Sequence, residues 1–162
     1  TPYRSRMGQP RIASFPAAST AASTARIVAG QVVQFDLTST SNHKIIRAST
    51  AAATALQSTT IAGVAAASDD GTATDPQIVI WSADANTEFK FPTKIAGTAS
   101  SLVGTLLSLC FDSSLAIHYL AASSSAGTEA VWVTDVINPG DTNGFVVGRF
   151  QSTRVSPAVW TR

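Results

Sequence analysis

Arg26-Ile-Val-Ala-Gly-Gln-Val-Val-Gln-Phe-Asp-Leu-Thr38 is the first place where the chain stops being small and polar and reads as a buried strand. Ile27, Val28, Val32, Val33, Phe35 and Leu37 are β-formers, and Val33 to Leu37 alternates strictly between apolar and polar. Gly30 inside the run predicts a turn or bulge that re-aims the strand. Thr38 to His43 is loop, and Lys44-Ile-Ile-Arg-Ala48 returns from it as the second arm of a hairpin.

Working outward, residues 49–60 predict at most a short helical turn through their Ala run, and Ile61 to Ala67 is a strand of small residues. Ser68 to Pro76 is turn chemistry throughout. Strands follow at Gln77–Trp81 and Thr87–Phe91, the latter with Phe89 and Phe91 on one face and Pro92 as its stop. Ser101–Phe111, Leu115–Leu120, Ala130–Ile137 and Phe145–Phe150 complete the series. About nine short strands at near-regular spacing, with no amphipathic helical window, predict an all-β fold. The expected form is a β-sandwich or barrel of short antiparallel strands.

An echo runs through this pattern. Gly30-Gln-Val-Val-Gln-Phe35 and Gly104-Thr-Leu-Leu-Ser-Leu109 match in polarity at every position. Each is followed by a turn, a short apolar strand (Lys44–Ala48; Leu115–Leu120) and an Ala/Ser/Thr stretch. Each block closes on an apolar-Gly phrase, Ile61-Ala-Gly-Val64 and Val146-Val-Gly-Arg149. Two related β-units sharing one core, over residues 26–91 and 101–150, are expected within a body of 26–162.

The 162 residues suit a single domain, and charged residues make up 13%, about half the usual share. A surface so poor in charge suits coverage by copies or partners, and equally a neutral Ser/Thr-coated β-protein. Four of the 11 bases, Arg4, Arg6, Arg11 and Arg26, precede the first acid, Asp36, so from Asp36 onward seven bases face ten acids. Residues 1–25 carry Pro2, Pro10 and Pro16, which oppose helix and favour extended backbone. Tyr3, Met7, Ile12 and Phe15 are apolar anchors within this N-terminal arm. Such an arm fits a strand laid on a partner's surface, or one packed across its own domain. Four arginines without interleaved aromatics are a poor nucleic-acid signal. No run approaches the ~18 apolar residues of a membrane span, and the arginines are not followed by the apolar core of a signal peptide.

The chemistry-bearing residues are sparse. The nucleophile-elbow Gly-x-Ser-x-Gly, the phosphate-binding loop, the dinucleotide glycine fingerprint and His-Glu-x-x-His are absent from the sequence. His43 lies in a polar loop, and His118 sits in an apolar strand, where a hydrogen-bonded structural histidine is expected. Cys110 falls in an apolar run and reads as a small buried hydrophobe, so neither a disulfide nor a zinc site is expected. Asp69, Asp70 and Asp75 around Gly71 are turn-formers whose spacing misses the calcium-loop pattern. Neither Glu88 nor Glu129 sits in a motif that would join it to another carboxylate for acid–base work. No enzyme, cofactor or metal is expected. Trp81 and Trp132 read as core, and Trp160 as an interface anchor.

Ile27-Val-Ala-Gly-Gln-Val-Val33, with Ile61-Ala-Gly-Val-Ala-Ala-Ala67 and Ile78-Val-Ile-Trp81, resembles the capsid decoration (cement) proteins of tailed bacteriophages. The likeness covers residues 26–91 and, loosely, 101–150, through apolar-Gly phrases. It implies a β-rich virion protein, often trimeric, on the outer capsid surface. It also implies the major capsid protein as partner, assembly in the bacterial cytoplasm, and no role for nucleic acid or membrane. The arm would then spread over neighbouring subunits, with Tyr3, Arg4, Arg6, Met7, Arg11, Ile12, Phe15 and Trp160 as partner-binding residues. The alternative expectation is a receptor- or glycan-binding β-module of a fibre or cell surface.

Overall fold

The computed structural model of the chain describes residues 3–5 (backbone only), 12–17, 26–35, 44–48, 61–69, 77–84, 86–122 and 129–155. They form strands β1 (Tyr3–Ser5), β2 (Ile12–Pro16), β3 (Val32–Phe35), β4 (Ile45–Arg47), β5 (Ile61–Ala65) and β6 (Gln77–Ser82). These are followed by β7 (Thr87–Pro92), β8 (Leu106–Asp112), β9 (Ile117–Ala122), β10 (Glu129–Ile137) and β11 (Phe145–Phe150). All strand ladders are antiparallel and fall into two sheets, β2-β6-β5-β3-β4 and β1-β7-β11-β10-β8-β9. The fold is all-β.

With β1 set aside as an added edge strand, the two orders are the same: first strand, fifth, fourth, second, third. The agreement extends to single residues. Gly30 (φ 89°) donates its N–H to Ala65 O at 2.8 Å, and Gly104 (φ 83°) donates to Val133 O at 2.8 Å. Ala65 N–H returns to Gln31 O at 2.8 Å, as Val133 N–H returns to Thr105 O at 3.0 Å. Ala83 N–H reaches Ala62 O at 3.0 Å, and Gln151 N–H reaches Ala130 O at 2.8 Å. A bulge interrupts the second-to-fourth-strand ladder at the same place in each unit, so that Ala62 corresponds to Ala130. The Phe-Pro pairs Phe15-Pro16 and Phe91-Pro92 also coincide in register. The chain is built from two copies of one five-stranded unit, spanning residues 12–83 and 89–151.

Each unit curls until its first and third strands touch through a single parallel bridge, Ala17 to Ile45 in the first and Thr93 to Leu120 in the second. One bridge is not a continuous ladder, so the units are curled sheets rather than closed barrels. The concave face of the first encloses Phe15, Val33, Phe35, Ile45, Ile78 and Ile80, with Phe15 and Phe35 edge to face at 5.1 Å. The second encloses Leu107, Leu109, Leu120 and the ring group Phe89, Phe91 and Phe150, with Phe150 5.7 and 5.5 Å from the other two. Fully burying each such side chain stabilises by about 1.5–3 kcal/mol.

The echo at Gly30 and Gly104 therefore marks equivalent turns, but the unit boundaries differ from 26–91 and 101–150. The run Thr87–Phe91 opens the second unit instead of closing the first. Ile61-Ala-Gly-Val64 corresponds to Glu129-Ala-Val-Trp132, not to Val146–Arg149. Ser100–Leu102 forms a 3-10 turn, so β8 begins only at Leu106, and Leu115 lies in an exposed turn ahead of β9.

The N-terminal segment requires a further correction. Phe15 is 1% exposed in the first unit's core, and β2 pairs along its whole length with β6, so Phe15 is no partner-binding anchor. Pro16 is tolerated because β2 is an edge strand. Tyr3 and Arg4 belong to β1, whose backbone pairs Tyr3 with Phe89 and Arg4 with Glu88. The described parts of the arm thus lie on their own domain. The helical turn expected in 49–60, together with Arg6, Met7, Arg11, His43, Asp70, Asp75 and Trp160, falls outside the described residues.

Candidate functional site

The units meet where the convex face of the first, the cross-strand row Val32–Val64–Trp81, lies against the β7–β9 side of the second. Val32, Val64 and Ile61 are buried there, and Trp81 is half-buried. His118, on β9, is the fastener. Its Nδ1 accepts the Val32 N–H at 3.1 Å, which leaves Nε2 to donate to Ala48 O at 3.1 Å. Both ring nitrogens of the second unit are thus engaged by backbone of the first, as expected for a structural histidine.

The ring is 4% exposed, and burial, followed by the nearby Arg47 cation, pushes its pKa down to about 4. Arg47 also stacks on Phe111 at 4.0 Å, and Phe111 lies 4.9 Å from the His118 ring. Gln31 Nε2 donates to Ala116 O at 2.7 Å, while its Oε1 accepts the Val28 N–H. Beside these contacts lies a cavity of about 210 Å³, floored by Val64, Phe89 and Phe91 and rimmed by Val28, Leu115 and Ile117. The rim side chains are exposed, Leu115 to 64%.

A second cluster gathers Cys110, Tyr119, Lys94 and Asp112 on the outside of the second unit. Cys110 and Tyr119 are cross-strand partners, and Lys94 lies 4.4 Å over the Tyr119 ring while donating to Asp112. Burial raises the Cys110 pKa, so despite the adjacent lysine the thiol is held protonated and is a poor nucleophile. The Asp112 carboxylate also accepts the N–H groups of Ser114 and Leu115, which fixes the β8–β9 turn. No group of three metal-ligating side chains occurs among the described residues.

The convex face of the second unit carries the row Leu106–Trp132–Arg149, register for register the counterpart of Val32–Val64–Trp81. Trp132 is 41% exposed, contrary to its reading as core. The bulge between Glu129 and Val131 sets the parity of β10, turning Val131 and Val133 inward and Trp132 outward. Phe145 is exposed on the same face of β11, beneath the Lys90 ammonium at 4.2 Å.

Of the sequence-selected partner residues with described side chains, Ile12 is 60% exposed and Phe15 is buried. Beyond Ile12, large apolar side chains are exposed at Val28, Val79, Val103, Leu115, Ile117, Trp132 and Phe145. Comparison with protein-family models, curated proteins and solved structures returns no match.

Proposed function

We propose that the chain is a structural virion protein of the capsid decoration type, binding the outer surface of a bacteriophage shell as a homo-oligomer and stabilising it without covalent chemistry. The observation that carries this reading is the division of labour among side chains. The histidine, arginine and glutamine with most chemical potential hold the two β-units together. The exposed large hydrophobic side chains, Trp132, Phe145, Leu115 and Ile117 among them, are free to act as contact groups. Such groups contribute about 25 cal/mol per Å² buried before ordering costs are subtracted. Many symmetric copies would add these contacts through multivalency.

The test is to add the purified chain to undecorated capsids and measure bound copies and capsid heat resistance. Stoichiometric, saturable binding with a raised disruption temperature supports the reading, and absence of binding to any shell removes it. Exposed Trp132 favours a second reading, a glycan-binding module, because an accessible indole ring can stack on a sugar. Glycan-array binding that Trp132→Ala abolishes, without shell binding, would select that one.

A further inference from the structure

Within the chain, the convex face of the first repeat is covered by the second, whereas the same face of the second repeat is exposed at Trp132 and Arg149. Val32, Val64 and Ile61 of the first unit are buried against the second. Their counterparts Leu106, Trp132 and Glu129 are half-buried or exposed, and Arg149, counterpart of Trp81, is exposed. The complementary surface is unevenly occupied as well. The β7–β9 side of the second unit receives the first, with Lys90 lining the junction cavity. On the first unit the position corresponding to Lys90 is Ser14, which is exposed. In the sequence His43 stands two residues before Ile45, as His118 stands two before Leu120, and Ile45 and Leu120 are the equivalent bridge residues.

We propose that the row Leu106–Trp132–Arg149 is a docking surface for the first unit of a second copy of this chain. Molecules join head to tail in the way that the two units join within one molecule. The contact is heterologous, so it closes into a ring or continues as a filament according to the rotation between copies. Trp132 is the expected anchor, since a half-exposed indole at the centre of the row, between Leu106 and Arg149, is the side chain whose truncation costs most. The proposal stands on the duplication and does not require a capsid.

Sedimentation of the full chain over a concentration series is the test. The wild type associates, and Trp132→Glu, Arg149→Glu and Ser14→Arg each weaken association at least about tenfold. All three positions are exposed, so circular dichroism and the melting temperature stay at wild-type values. Mixing supplies the decisive readout. A Trp132→Glu chain keeps an intact first unit and a Ser14→Arg chain keeps an intact second-unit face, so together they form a one-to-one pair and nothing larger. A wild type that is monomeric throughout overturns the proposal. So does association indifferent to Trp132 and Arg149, or loss in the Trp132 variant that mixing does not restore. Self-association without shell binding leaves this proposal standing and removes the decoration reading; shell binding by a strictly monomeric chain removes this proposal and keeps the decoration reading without its homo-oligomer.

Discussion

The two units share a backbone plan but fill it differently. In the first, Ala13 on the opening strand sits opposite Ile80 on the closing strand. In the second, Phe89 sits opposite Gly148 at the same register. Small faces large in both, with the sides exchanged. A Cβ on Gly148 would lie 2.5 Å from Val131 Cγ1 and 2.6 Å from Trp132 O, so β10 leaves no room for a side chain there. The fourth strands show the converse. Gly63 in the first unit stands where Val131 stands in the second, because a Cβ at 63 would lie 2.0 Å from the Trp81 backbone oxygen. What the units hold in common is therefore total volume and register more than residue identity, the property that core packing constrains most tightly.

The largest expected break in this comparison is Gly63→Val, which copies the second unit into the first. The new side chain meets backbone rather than a yielding side-chain end, so the substitution costs about 3 kcal/mol or more in urea unfolding. A wild-type unfolding midpoint would show that β5 and β6 can separate at no cost.

His118 tests the junction instead of the interiors. Its folded pKa of about 4 lies below the unfolded 6.5, so the unfolded chain binds the additional proton. Stability from this group is complete above pH 6.5 and declines as pH falls, by about 2 kcal/mol at pH 5 and about 3 by pH 4. Chemical denaturation at several pH values should show that slope in the wild type and a flatter one in His118→Gln. Equal slopes would mean that the ring is not held neutral between the units.

A smaller effect isolates the exchanged pair. Ala13→Phe and Ile80→Gly should each destabilise, while the double variant, which gives the first unit the second unit's pairing, should recover about 1–2 kcal/mol relative to their sum. Strict additivity would sever the link between these positions. The smallest expected effect is Lys94→Met at the exposed ion pair with Asp112: a melting temperature indistinguishable from wild type.

The sequence made the class of fold and the start of the repeat legible, for a physical reason. The Gly30 and Gly104 turns both adopt positive φ, and each is followed by a strand whose core-facing positions, Val33 and Phe35 or Leu107 and Leu109, are apolar, so both the glycine and the alternation show in the sequence. The repeat's first strand was legible too, in the dipeptides Phe15-Pro16 and Phe91-Pro92. Three N-terminal prolines drew attention to an arm instead. The fourth strands could not be aligned by their glycines, since Gly63 answers a local close approach that Val131 does not share. Trp132 was misplaced because a bulge reverses the facing of β10, and nothing in its apolar neighbours announces a bulge. The Val32–His118 contact joins residues far apart in the chain, and only the stacking of the units brings them together.

The order of the strands also dictates what a ribosome sees. The first unit is complete in sequence once Ser82 has emerged, and its curled sheet can form at that point. Its Val32–Val64 face then remains bare until β9 brings His118, and β1, made before the first unit, has no edge to join before β7 appears. A first unit that folds at that stage has a wet apolar face and a β1 without its partner strand. Crowded polysomes make that stage the time of greatest exposure to aggregation and to a chaperone's grip.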